Sequence, residues 1–152
     1  MPTYVCSVPN GKLTDVQKQE IATAIGNRHS EATGASPFFV QVVIEEQGTS
    51  KRFLGGTLTD HHIWIRGDIR GGRTEPERAE IMLNIMNDVS HITGYPIDDI
   101  WVYLCNLAPT DMVEYGHVLP KPGEEHQWFA SLPLPLRNYL DSLGVHQQSF
   151  QL

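Results

Sequence analysis

A handful of residues could do acid–base or anion-binding chemistry. Pro2 follows Met1, and a small second residue leads to removal of the initiator methionine. The freed nitrogen would be a secondary amine at the head of a strand. An α-amino group titrates near ~7.7–8.0, so it can give or take a proton around neutral pH. Proline also tolerates the first position of a strand for purely structural reasons, and both readings stand on this residue alone. Arg70 and Arg73 flank two glycines in Ile69-Arg70-Gly71-Gly72-Arg73. Two guanidinium forks so close suit one carboxylate, because each donates two parallel hydrogen bonds. A solvated basic turn ahead of a helix explains the same residues. No G-x-G-x-x-G or Walker pattern is present, so this is not a phosphate loop.

Three further residues join them. His29 falls four after Ile25, on the apolar face of a helical stretch, where a histidine is either a satisfied core residue or a ligand. Tyr103 shares a strand face with Trp101, as core with a paired hydroxyl or as a reacting group. Glu114 lies in the loop-like Asp111-Met112-Val113-Glu114-Tyr115-Gly116, and matters only if it faces a pocket with the others. The chain has seven histidines but no H-E-x-x-H or other metal spacing, so no metal is expected. His61 and His62 read as strand neighbours pointing to opposite faces.

The elements that must position these residues come in a repeat. Thr14-Asp15-Val16-Gln17 and Thr74-Glu75-Pro76-Glu77 are capping boxes, and Gly34 and Gly94 close the helices they open, each pair sixty positions apart. Apolar residues recur at helical spacing between these marks: Ile21, Ile25 and Ala32, then Met82, Ile85, Met86, Val89 and Ile92. β-rich runs flank each helix: Thr3 to Val8 and Phe38 to Ile44, then His62 to Ile65 and Ile100 to Leu104. The fold class is therefore α+β. Two tandem β-α-β units, each with parallel strands, form a four-stranded sheet with both helices on one face. The other face needs cover.

One domain spans residues 1–152: unit one 1–47, a connection 48–60, unit two 61–106, and C-terminal loops and short helices 107–152. The connection, Gly48 to Asp60, reads as an insertion with its own role. The tail is rich in proline and suggests short helices near Glu124 to Ser131 and Pro135 to Leu143, stopped by Gly144. Gln147 to Leu152 default to a frayed end.

Bulk properties remove some function classes. A net charge of −7 argues against a general nucleic-acid binder. With no apolar run near the length of a membrane span and no secretory pattern at the start, a soluble cytoplasmic protein is expected. Cys6 and Cys105 form no C-x-x-C and read as buried small hydrophobes in a reducing compartment.

Together, an N-terminal proline, duplicated strand–helix–strand units and this length resemble the tautomerase superfamily. The sequence is most similar to its cis-3-chloroacrylic acid dehalogenase group, which is marked by an N-terminal Pro, a helical His, two Arg three apart, a Tyr after Trp-Val and a Glu in Glu-Tyr-Gly. Pro2, His29, Arg70, Arg73, Tyr103 and Glu114 stand at those positions. Phe53-Leu54-Gly55-Gly56, Trp101-Val102-Tyr103, Pro122-Gly123 and Trp128-Phe129 extend the likeness to about residue 143. The resemblance implies a homotrimer with pockets near subunit contacts, no cofactor, and a small carboxylate substrate. It further implies substrate binding by His29, Arg70 and Arg73, and catalysis by Pro2, Glu114 and Tyr103. The reaction implied is water addition to a short unsaturated acid: cis-3-haloacrylate dehalogenation, or alkynoic acid hydration that decarboxylation can follow. A keto–enol tautomerase of a 2-oxo acid and a non-catalytic trimeric binding protein are the alternatives.

Overall fold

The computed structural model describes residues 2–35 and 39–143. Phe38, Gly144 and Gln147 to Leu152 lie outside the described residues, as does Met1. Chain order is β1 (Thr3–Val8), α1 (Asp15–Thr33), β2 (Gln41–Glu46), β3 (Arg52–Leu54), β4 (Thr57–Thr59), β5 (Ile63–Arg70), α2 (Glu75–Thr93), β6 (Ile100–Leu107), β7 (Val113–Glu114), β8 (His117–Val118), α3 (Glu125–Ser131) and α4 (Leu134–Ser142).

The caps act as their residue types require. Thr14 accepts from the Gln17 amide while the Gln17 side chain reaches back to the Thr14 backbone. Thr74 and Glu77 repeat the arrangement. Gly34 and Gly94 end α1 and α2 at φ of 73° and 76°, a left-handed conformation that favours glycine.

The principal sheet has the order β2-β1-β5-β6. β1 runs parallel to β2 and β5 parallel to β6, as two crossover units demand, whereas the central β1–β5 contact is antiparallel. Strand alternation puts Tyr4, Cys6, Val8, Ile63, Ile65 and Ile69 on the helix face, all fully buried. They meet Ile21 and Ile25 of α1 and Ile81, Ile85 and Val89 of α2. Burying each such aliphatic side chain contributes about 1.5–3 kcal/mol. The α2 stripe is led by Ile81 rather than Met82, because Ile81, Ile85 and Val89 follow each other at four-residue steps. Val5, Trp64, Trp101 and Tyr103 point to the opposite face, which no helix among the described residues covers.

Several expected boundaries move. β2 begins at Gln41; Phe39 instead turns into a second apolar cluster with Met112, Leu119, Phe129, Leu132 and Leu140. β5 and β6 extend to Arg70 and Leu107, beyond the short runs read from sequence. Residues 48–60 carry the β3–β4 hairpin. Cys6 is buried, and Cys105 only partly so.

His61 and His62 correct an expectation. They precede β5 rather than lying within it, so strand alternation does not separate them. Their ring centroids are 4.6 Å apart, and both rings approach the Thr59 hydroxyl and the Asp99 carboxylate.

Candidate functional site

Strand direction decides which residues can meet. Thr3 pairs with Asp68, and Arg70 with Leu107, so the head of β1 adjoins the tails of β5 and β6. α1 returns to this end before β2, and α2 leaves from it. Pro2, the last turns of α1, the Arg70–Arg73 loop and the segment after β6 therefore converge on one end of the sheet. The Pro2 carbonyl accepts from the Gln41 amide at 3.0 Å, which fixes the chain just ahead of β1. Pro2 is buried.

His29 is almost completely buried and its Nδ1 lies 2.9 Å from the Tyr4 hydroxyl. Burial, then the positive charge of Arg73, then that of the chain's amino terminus hold the His29 pKa down to about 3. The ring is therefore neutral at physiological pH. Burial also pushes the Tyr4 hydroxyl well above its ordinary value, with Arg73 opposing. Tyr4 has its place because it packs across Gly67: a Cβ built there would stand 2.4 Å from the Tyr4 ring and 2.8 Å from Leu104.

The two arginines have different surroundings. Arg70 is 6% exposed and pairs with Glu125, 8% exposed, at 2.7 Å; it also donates to the Pro120 carbonyl at 3.3 Å. The second Glu125 oxygen accepts from the Gly123 amide at 2.7 Å. Arg73 is half-buried and donates to the Arg70 carbonyl at 2.7 Å. Burial and then the charge of Arg70 lower its pKa. Both arginines line a cleft of roughly 340 Å³ with Ala32, Thr33 and Pro122. Gly72 turns the chain between them at φ 123°.

Glu114 occupies the last position of β7, opposite His117. The two-residue link between those strands is Tyr115-Gly116, with φ of 52° and 80°. Such a turn suits the twist of a hairpin but is costly for a tyrosine. Glu114 and Tyr115 line a neighbouring cleft of roughly 600 Å³ with Thr3, Gln41 and Asp68. Tyr103 lies elsewhere. It is half exposed on the open sheet face, in a third cleft with Trp64, Trp101, Arg52 and Phe53. One chain thus gathers Pro2, His29, Arg70, Arg73 and Glu114 at one end and leaves Tyr103 outside that group.

Tyr4 and Glu125 were not singled out from sequence. Tyr4 is two residues after Pro2 and on the helix face by alternation, so its nearness to an apolar-face histidine was inferable. Glu125 sits 55 residues beyond Arg70 in a proline-rich tail, where no periodicity links the two.

A mixed four-stranded sheet backed by two repeated helices, with a buried residue 2 at the head of its inner strand, defines the tautomerase class of fold. The chain belongs to the family described as "putative oxalocrotonate tautomerase enzyme", whose model matches residues 1–131. It is 30% identical to N1, a member of the cis-3-chloroacrylic acid dehalogenase family, over 92% of this chain and 99% of that one, with a TM-score of 0.84. The fold is shared with Q0 fused 4-OT, solved as a symmetric trimer (20% identity, 77% of this chain and 94% of that one, TM-score 0.71). It is shared too with macrophage migration inhibitory factor of Toxoplasma gondii (18% identity, 77% and 99%, TM-score 0.65). No curated protein matches the sequence. No helix among the described residues is long and apolar enough to cross a membrane.

Proposed function

We propose that the protein is an N-terminal-proline enzyme that adds water to short unsaturated carboxylic acids, acting as a homotrimer and without a cofactor. The carrying observation is the convergence of Pro2, neutral His29, Arg70, Arg73 and Glu114 on one end of the sheet. In this reading Arg73, with Arg70 and the His29 ring, holds the substrate carboxylate. Drawing electron density toward that carboxylate makes the β-carbon electrophilic. Glu114 takes a proton from water as its oxygen bonds to the β-carbon, and the Pro2 ammonium delivers a proton to the α-carbon. A halide on the β-carbon then leaves as the new hydroxyl becomes an aldehyde. An alkynoic acid reaches the same aldehyde acid through its enol. Tyr103 assists Glu114 from a neighbouring subunit, which accounts for its position on the open face and agrees with the trimeric Q0 fused 4-OT.

A second reading, a keto–enol tautomerase of a 2-oxo acid, has its own support. Arg70 is engaged by Glu125, which weakens a two-arginine clamp, and proton shuttling needs no Glu114–Tyr103 pair. The Pro2 charge state separates the two: nearby arginines favour the neutral amine, and Glu114 favours the ammonium. Glu114→Gln distinguishes them. Water addition to cis-3-haloacrylate, followed by halide release, is expected to fall at least ~100-fold, the scale of general-base catalysis, while 2-oxo acid ketonisation persists. Equal loss of both activities contradicts the division of roles.

A further inference from the structure

We propose that His61, His62 and Asp99 form a binding site for a borderline divalent transition-metal ion, with zinc as the reference ion. The site is at the other end of the sheet from the candidate catalytic group. It is separated by the length of β5, about 23 Å at ~3.3 Å per residue. It shares no residue with the group around Pro2, and His62 lines the cleft that holds Tyr103.

Nε2 of His62 lies 3.5 Å from Asp99 Oδ1, and Nε2 of His61 lies 3.8 Å from the same oxygen. One donor atom from each residue falls within 4.8 Å of the others. Bonds of ~2.0–2.1 Å around a tetrahedral zinc put ligand atoms about 3.4 Å apart, so small side-chain adjustments close the set and leave a fourth position for water.

The hydrogen bonds on the far side of each ring suit this use. Thr59 Oγ1 is 3.2 Å from Nδ1 of His61 and 2.9 Å from Nδ1 of His62. A hydroxyl oxygen has two lone pairs and can accept from both rings. Each Nδ1 then carries its hydrogen, and each Nε2 turns a lone pair toward the Asp99 carboxylate. In this tautomer three electron-rich atoms face one point, and a cation between them satisfies all three. A hydrogen bond that fixes the tautomer of a ligating histidine from its outer nitrogen is the usual support for such a site. His62 and Asp99 are mostly buried, His61 is half exposed, and this gives an ion an entry path.

The ion would tie the link after the β3–β4 hairpin to the 3-10 turn Ile97–Asp99 that opens β6. Imidazole and carboxylate donors select zinc, nickel or copper over magnesium or calcium.

The test uses untagged, metal-free protein in its native assembly, titrated with zinc chloride by calorimetry and followed by thermal melting. Saturable binding of one zinc per protomer is expected, with a rise in melting temperature that grows with zinc concentration. Asp99→Asn, which keeps size and shape, and His62→Ala are each expected to weaken binding at least ~10-fold. Cobalt should give the visible absorption of a tetrahedral site, and copper should quench Trp101, whose ring centroid is 5.9 Å from that of His62. Circular dichroism checks that the variants fold; if His62→Ala does not, His61→Ala, at a more exposed position, replaces it. Absence of saturable binding to the wild type, or binding unchanged in both variants, overturns the proposal.

Discussion

At the scale of single residues, His29 shows how burial selects one charge state. In the unfolded chain an imidazole titrates near ~6.5; in the fold it is held down to about 3, chiefly by burial. Above pH ~6.5 both states are neutral and folding bears no proton-linked cost. As pH falls through that value, the unfolded chain takes up a proton that the folded ring refuses until about 3, so stability declines across this window. Denaturation midpoints measured between about pH 7 and pH 4 should therefore fall more steeply for the wild type than for His29→Gln, which cannot be protonated. Parallel slopes would contradict the buried neutral ring. The residues with chemical potential were ambiguous one by one, since proline after methionine and a basic turn before a helix each have a purely structural reading, and they gained meaning only as a set. Their partners were less legible still. His29 read as an apolar-face residue without its Tyr4 partner, and Arg70 as half of a carboxylate clamp without Glu125. Contacts across 25 and 55 residues leave no periodic trace.

At the scale of elements, the same sheet end depends on two packing decisions. Gly67 leaves room for the Tyr4 ring, and Gly67→Ala would drive a methyl group into it. Overpacking of this kind costs about 1–3 kcal/mol. The variant should melt lower, and by tilting Tyr4 away from His29 it should also lower turnover; unchanged stability would show that Tyr4 can yield without loss. The Arg70–Glu125 pair pins the start of α3 to the end of β5. Removing one member of a buried pair costs about 3–5 kcal/mol, because the other charge is left uncompensated. Glu125→Ala is thus expected to lower the urea midpoint far more than Arg70→Met combined with Glu125→Leu, and the reverse order would contradict a desolvated pair. The elements bounded by caps were the legible ones: Thr14, Gly34, Thr74 and Gly94 fix α1 and α2 because each satisfies orphan backbone groups locally. The β3–β4 hairpin was read only as an insertion, since three-residue strands are too short to show alternation. His61 and His62 were assigned to a strand for the same reason, as a boundary without a cap is fixed by tertiary contacts.

At the scale of the whole molecule, the open sheet face is the feature one chain does not complete. Trp101 and Tyr103 are 41% and 49% exposed there, and aromatic residues are costly to leave in water. The proposed homotrimer would cover that face and bring Tyr103 to a neighbouring pocket. Sedimentation equilibrium should give three times the protomer mass of 17.1 kDa. Trp101→Glu should shift the protein toward monomer and lower turnover together, and a fully active monomer would separate assembly from catalysis. The central claim concerns the Pro2 nitrogen. With Met1 attached that nitrogen is a tertiary amide, whose delocalised lone pair neither gives nor takes a proton. The most direct measurement compares halide release from cis-3-chloroacrylate by protein whose intact mass shows Met1 absent with release by the same chain retaining Met1. Turnover confined to the Met1-free form is the expected result; equal turnover in both forms, or none in the Met1-free form, would contradict the account.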